Sequence, residues 1–238
     1  WYGELIDKTF GKVSATDPSI TSLIVKEPIG VVAGVVPWNF PLMMAVWKAA
    51  PALAAGCSVI IKPAEDTPLS ALRIAQIASE AGIPDGVFNV LPGFGDVGEA
   101  LGRHNDVDAV SFTGSTEVGG LFMKYSGESN LKTIGLEMGG KSPFLVLEDA
   151  KINDALIDNA INSAFWNGGQ NCSANMRQII HNKVKDEFLD KVLKRIKNIK
   201  VGDPLDTETN MGSMISKTHL AKVDSYIQKG IDEGASIL

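Results

Sequence analysis

The sequence predicts an α/β fold: a parallel sheet covered on both faces, followed by part of a second α/β unit that opens after Gly140. Three observations carry this. Apolar runs of strand length alternate with segments of helical periodicity. The runs are nearly continuous rather than alternating, as expected of strands buried on both faces. Gly and Pro gather in the connections.

The elements follow in order. Ser22–Lys26 and Ile29–Val36 are rich in Val and Ile and read as extended, with Pro28 and Gly30 between them. Leu42–Ala55 reads as a helix that Pro51 kinks or restarts. Ser58–Lys62 reads as a strand. Pro68–Ala81 is an amphipathic helix with Pro in its first turn and Gly82 past its end. Val87–Leu91 is a strand, Asp96–Arg103 a helix, Ala109–Phe112 a strand, Ser115–Tyr125 a helix and Thr133–Leu136 a strand. In the second unit Phe144–Leu147 reads as a strand and Ile152–Phe165 as a helix. Phe188, Leu189, Val192, Leu193 and Ile196 line the apolar face of another helix. The closing Gly-Ala-Ser-Ile-Leu reads as the start of a strand, and with the missing initiator Met it gives the sequence the look of a piece of a longer one.

Bulk properties narrow the function. The 238 residues are 45% hydrophobic and 21% charged, ordinary for a globular protein. A net charge of −6 argues against nucleic acid and anionic membranes as partners. The two cysteines, Cys57 and Cys172, make no disulfide framework and point to a reducing, cytoplasmic setting. His104, His181 and His219 lack metal-ligand spacing, so no metal is expected.

In parallel α/β sheets ligands sit beyond the carboxyl ends of the strands. The informative segments are therefore 37–40, 62–65, 92–95, 113–116 and 137–140. Cys172 lies in Asn167-Gly-Gly-Gln-Asn-Cys-Ser173, where the glycines let backbone approach a ligand. It reads as a nucleophile or, taken alone and slightly preferred, as a small residue packed at a helix start. Cys57 leads into a strand and reads as inert core. Glu137, before Met-Gly-Gly-Lys, is placed to act as a base on water; a surface Glu capping a turn is the plainer reading. Asn39 could donate to an oxyanion or simply hold a turn between Pro37 and Pro41. Lys62 and Glu65 could bind ribose hydroxyls or form an exposed charge pair. Gly114 and Ser115 could place helix-start N–H groups against a pyrophosphate.

The order of these segments is more specific than any one of them. Pro-Trp-Asn-Phe-Pro, Ile-Lys-Pro-Ala-Glu, Phe-Thr-Gly-Ser-Thr, Leu-Glu-Met-Gly-Gly-Lys-Ser-Pro and Gly-Gln-Asn-Cys, in that sequence, resemble the aldehyde dehydrogenase superfamily over essentially the whole chain. Family members are about twice as long, so the chain resembles an internal portion. The resemblance implies a Rossmann-like NAD(P)-binding domain over 1–139, with 10–28 as a subunit-joining arm, and the first part of a catalytic domain over 140–238. It implies Cys172 as nucleophile, Glu137 as general base and Asn39 as oxyanion donor. The implied cofactor contacts are Val36, Pro37, Trp38, Lys62, Pro63, Glu65, Gly95, Gly98, Phe112, Gly114, Ser115, Met138 and Gly139. Phe40, Met43, Met44, Trp47 and Trp166 are the implied substrate tunnel. The implied activity is oxidation of a small aldehyde to an acid, with NAD favoured over NADP by Glu65, in a homodimer or homotetramer. The wording is closest to members that oxidise ω-amino aldehydes such as γ-glutamyl-aminobutyraldehyde or betaine aldehyde. The alternatives are a non-catalytic nucleotide-binding or structural relative, and a cysteine-dependent esterase without redox chemistry.

Overall fold

A computed structural model describes residues 1–238, apart from the side chain of Ala15. The chain divides into two compact units, Trp1–Met138 and Gly139–Leu238.

The first unit opens with a short helix, α1 (Tyr2–Leu5), and an antiparallel pair, β1 (Lys12–Asp17) and β2 (Ile20–Ile24). Val13, Leu23 and Ile24 of this pair are exposed. Five parallel strands follow: β3 (Val31–Val35), β4 (Ser58–Lys62), β5 (Phe88–Val90), β6 (Ala109–Gly114) and β7 (Thr133–Met138). Their order across the sheet is β5-β4-β3-β6-β7. The chain thus builds outward from β3 to one edge, then returns to the other side of β3. Such a reversal opens a crevice beyond the carboxyl ends of the two strands where it occurs, here β3 and β6.

Helices cover both faces. α2 (Pro41–Ala54) and α3 (Leu69–Glu80) supply Met44, Ala45, Ala49 and Ala71 to a core with Val36, Val59 and Ile61. α4 (Gly95–Arg103) and α5 (Thr116–Gly127) supply Leu101, Phe122 and Tyr125 to a core with Ala33, Val35, Val110 and Phe112. Val31, Ala33 and Val35 of β3, which share one face by period-2 alternation, all join this second core. Gly34 faces α2, where a Cβ would lie 2.6 Å from Ile61 Cδ1 and 3.2 Å from Lys48 Cβ, so only glycine lets that helix approach. Pro41 opens α2 with a backbone angle suited to a first turn. Pro51 starts no second helix; α2 runs through it from Pro41 to Ala54. β6 and β7 run two residues further than the sequence predicts, because their ladder continues to the Gly114–Met138 pair.

In the second unit β8 (Pro143–Val146) pairs in parallel with β9 (Arg177–Ile180). α6 (Asp154–Phe165) and α7 (Asn182–Ile196) pack Ile157, Ala160, Ile161 and Phe188 against Val146 and Ile152. Asn153 caps α6, its side chain accepting from Leu156 N at 3.0 Å. α8 (Lys217–Asp232) is not among the sequence expectations, although Leu220, Val223, Ile227 and Ile231 recur at helical spacing. Ser216 Oγ caps it by accepting from His219 N at 3.1 Å. The strand expected at the carboxyl terminus is absent: residues 235–238 lie outside any helix or strand. A strand needs a ladder partner for its backbone groups, and this segment has none.

Among the described residues, no helix is long and apolar enough to cross a membrane. Nor do three His, Cys, Asp or Glu residues cluster as metal ligands would.

Candidate active site

The β3–β6 switch point gathers most of the expected residues of the first unit. Beyond β3 run Val36, Pro37, Trp38, Asn39 and Phe40. Val36 is buried and its N–H donates to Lys62 O at 3.1 Å, tying this loop to the end of β4. Trp38 and Asn39 are half-buried. Lys62 is buried, whereas Glu65 is exposed, and their charges lie 3.6 Å apart. Lys62 Nζ also donates to Pro63 O at 3.2 Å. The expected exposed pair is thus a buried lysine with an exposed carboxylate at the strand's edge.

Beyond β6, Gly114 leads into α5, whose N-cap is Ser115; its Oγ accepts from Val118 N at 3.3 Å. A Cβ on Gly114 would come within 2.5 Å of the Phe112 ring, so the turn requires glycine. Gly95, at the start of α4, has open space around it. Two expected cofactor contacts point elsewhere. Gly98 is buried and faces Phe122, and the Phe112 ring stacks in the core with its centroid 5.0 Å from that of Phe122. Strand periodicity turns the Phe112 ring inward, and Gly98 lies on the helix face that packs under Phe122.

Glu137 is exposed, as are Met138 and Gly139. It is not beyond its strand but within β7, in register with Thr113 of β6. Beneath this face lies a residue that the sequence does not single out. Lys48, on the buried side of α2, donates to Ser111 Oγ at 3.0 Å and Thr113 Oγ1 at 2.8 Å. Burial pushes its pKa down from 10.5 to about 8, against the pull of the Glu137 carboxylate. Near neutral pH this ammonium therefore gives up a proton far more readily than a surface lysine.

The other side of α2 presents an open apolar groove of ≈ 480 Å³, lined by Phe40, Leu42, Met43, Val46 and Trp47. Phe40, Met43 and Trp47 were expected together. Met44 was expected with them but packs in the sheet core instead, because one helical step turns it by about 100° from Met43.

Cys172 and Trp166 belong to the second unit, and both are exposed. Cys172 is therefore not packed at a helix start. Ahead of it Asn167, Gly168 and Gly169 all take left-handed angles, φ 54°, 66° and 74°. This is uncommon for a non-glycine such as Asn167. Asn171 Oδ1 accepts from Ser173 N at 3.2 Å and Ser173 Oγ at 3.1 Å, and lies 3.8 Å from Cys172 Sγ. Cys57 is buried at the foot of β4.

The sequence matches the aldehyde dehydrogenase family over residues 1–238. The chain belongs to this family. Among aldehyde dehydrogenases it is 49% identical over 238 residues to the aminoacetaldehyde dehydrogenase of Pseudomonas aeruginosa, covering 100% of this chain and 48% of that protein. It is 46% identical over 239 residues to the NADP/NAD-dependent aldehyde dehydrogenase PuuC of Escherichia coli, again covering 100% of this chain and 48% of that protein. A crystal structure of an indole-3-acetaldehyde dehydrogenase complexed with NAD+ superposes with a TM-score of 0.97 at 49% identity, over 100% of this chain and 48% of that one. The chain spans about half the length of the curated relatives it matches.

Proposed function

We propose that the protein containing this chain oxidises an aldehyde to a carboxylic acid with NAD(P), the first unit binding the dinucleotide and the second carrying the nucleophile. Family membership over residues 1–238, joined to an exposed thiol at Cys172, carries this reading.

The carboxyl edge of the first unit fits a dinucleotide. At the switch point, Gly114 lets the chain turn over the Phe112 ring into α5, whose first-turn N–H groups with Ser115 suit a pyrophosphate. Lys62 offers a donor and Glu65 an acceptor for ribose hydroxyls. Val36, Pro37, Trp38, Pro63, Gly95 and Met138 border this edge on the loops and strand ends already described, and Gly139 follows Met138 in the chain. The exposed Glu65 carboxylate would repel a 2′-phosphate, which favours NAD over NADP. When bound, the dinucleotide supplies the hydride acceptor.

The chain's own residues do the rest. Cys172 Sγ adds to the aldehyde carbonyl carbon, and the oxygen takes the electron pair of the broken π bond. The Asn39 side-chain amide and the Cys172 backbone N–H donate to that oxyanion. Loss of hydride leaves a thioester on Cys172. Glu137 removes a proton from a water that attacks the thioester carbonyl. The carbon–sulfur bond then breaks, releasing the acid and restoring the thiolate. Phe40, Met43 and Trp47 seat the carbon tail of the aldehyde. Their groove contains no charged side chain, and its Phe40 and Trp47 rings suit either an apolar segment or an ammonium beside the carbonyl. The β1–β2 pair, with its exposed Val13, Leu23 and Ile24, is the proposed subunit-joining arm.

The test is aldehyde-dependent formation of reduced cofactor by the full-length protein, over aromatic, alkyl and ω-amino aldehydes with NAD and with NADP. Cys172→Ala should abolish turnover while leaving cofactor binding intact. Turnover that persists in Cys172→Ala removes the assignment of the nucleophile. Cofactor binding without turnover in the unaltered protein favours a non-catalytic relative.

A further inference from the structure

The segment ahead of Cys172 is unusual in its backbone and in what holds it. Three successive residues, Asn167–Gly169, are left-handed. Such a run is not self-supporting when its first member carries a side chain. The same Gln170 makes side-chain hydrogen bonds in both directions. Its Nε2 donates to Asn167 O at 3.0 Å, closing the turn from inside. Its Oε1 accepts from Ile215 N at 2.9 Å, across 45 residues of sequence. A backbone bond from Gln170 N to Asn167 O at 3.2 Å and one from Asn167 Nδ2 to Gln170 O at 3.3 Å complete the clasp.

Ile215 immediately precedes Ser216, the cap of α8. The far end of the tie is thus anchored at a helix start. The adjoining Met214 Sδ lies 3.9 Å from where a Cβ on Gly168 would sit, so the two segments are in near contact beside the hydrogen bond. Two residues beyond Gln170 is the exposed thiol, whose Sγ lies 3.8 Å from Asn171 Oδ1 of the same turn. The position of Cys172 therefore depends on the shape of the 167–171 turn, and that shape depends on Gln170.

We infer that Gln170 is a positioning residue for the nucleophile: its side-chain amide locks the left-handed turn and ties it to the start of α8, so that the thiol is presented in one orientation. The inference rests on the proposed role of Cys172. Its test needs neither aldehyde nor cofactor, so it can fail separately from that role.

Two measurements are made on the 238-residue chain: hydrogen exchange at the Ile215 amide, and the rate of Cys172 alkylation by iodoacetamide at one fixed pH. The reference for the second is a free peptide of residues 167–173. Gln170→Met removes both side-chain bonds. Ile215 should exchange about 5-fold faster, the free energy of one lost hydrogen bond, and the alkylation rate should move toward the peptide's. Gln170→Glu keeps an acceptor for Ile215 but loses the donor to Asn167. Exchange at Ile215 should stay slow while alkylation still shifts. Thermal unfolding of both variants should match the parent within a few degrees. Where Gln170→Met does not fold, Gln170→Glu decides alone. An alkylation rate unchanged in a folded variant overturns the inference. So does an unaltered chain that already reacts like the peptide, or an Ile215 amide that Gln170→Met leaves protected.

Discussion

Replacing Lys48 by Met tests the buried cation beneath Glu137. Met keeps most of the side chain's length and packing but cannot carry charge. In the folded chain burial lowers the lysine's pKa from 10.5 to about 8. Below pH 8 the ammonium is charged both folded and unfolded, and the fold bears the full penalty. Between pH 8 and 10.5 the folded chain has shed a proton that the unfolded chain still holds, so stability rises with pH. Above 10.5 both forms are neutral and the penalty is gone. At about 1.4 kcal/mol per pH unit the whole effect is about 3 kcal/mol, of which about 2.5 kcal/mol falls between pH 7 and 10. Lys48→Met lacks this dependence, and every other titrating group cancels in the difference. The assay is urea unfolding at several pH values, read by pulsed labelling of Cys57, which reports the first unit alone. A Cys172→Ser background removes the exposed thiol. With a urea slope near 2 kcal/mol per molar, the midpoint of the Lys48 protein should gain about 1 M over that of Lys48→Met across this range. Parallel midpoints would mean that Lys48 is hydrated in solution and that the reasoning from burial is wrong.

Two further predictions concern the cofactor edge. Gly114→Ala places a methyl 2.5 Å from the Phe112 ring; it should lower stability by about 1–3 kcal/mol, measured by urea unfolding, and weaken NAD(P) binding in titrations. Glu65→Gln removes an exposed carboxylate from the ribose end; it should raise the ratio of kcat/KM for NADP over NAD about fivefold in the full-length enzyme, an effect that added salt reduces.

From β3 onward the strands and helices of the first unit were legible because each is a local pattern, whereas α1 falls in a stretch that reads as extended. Ser58–Lys62 is apolar and bounded by Gly56 and Pro63, and Pro68 and Gly82 bracket α3. Glu137 shows where local pattern stops. Glu-Met-Gly-Gly reads as the end of a strand, yet the ladder to Thr113 and Gly114 holds Glu137 and Met138 in β7. That extension belongs to the partner strand and is not written in the segment itself. Met44 was misplaced for a different reason: α2 has apolar residues on two sides, and periodicity cannot say which side meets the sheet. α8 lies outside the sequence expectation although Ser216 and the spacing of Leu220, Val223 and Ile227 give its start and face.

Lys48 is the instructive omission. In sequence it is one lysine after a tryptophan, indistinguishable from a solvated charge. Its meaning comes from Ser111 and Thr113, 63 and 65 residues away, which stand on the same face of β6 because side chains alternate along a strand. The chain places β6 beside β3 only by returning across the sheet, and α2 can lie close enough only because Gly34 has no Cβ. A substitution at Gly34 should therefore disturb the environment of Glu137 without touching either Glu137 or Lys48. The sign of that disturbance is fixed: lifting α2 from the sheet rehydrates Lys48, returns its pKa toward 10.5 and removes the stability gain between pH 8 and 10.5. Gly34→Ala compared with Lys48→Met over the same pH range separates this coupling from a general loss of packing, since loss of packing alone lowers both ends of the profile equally.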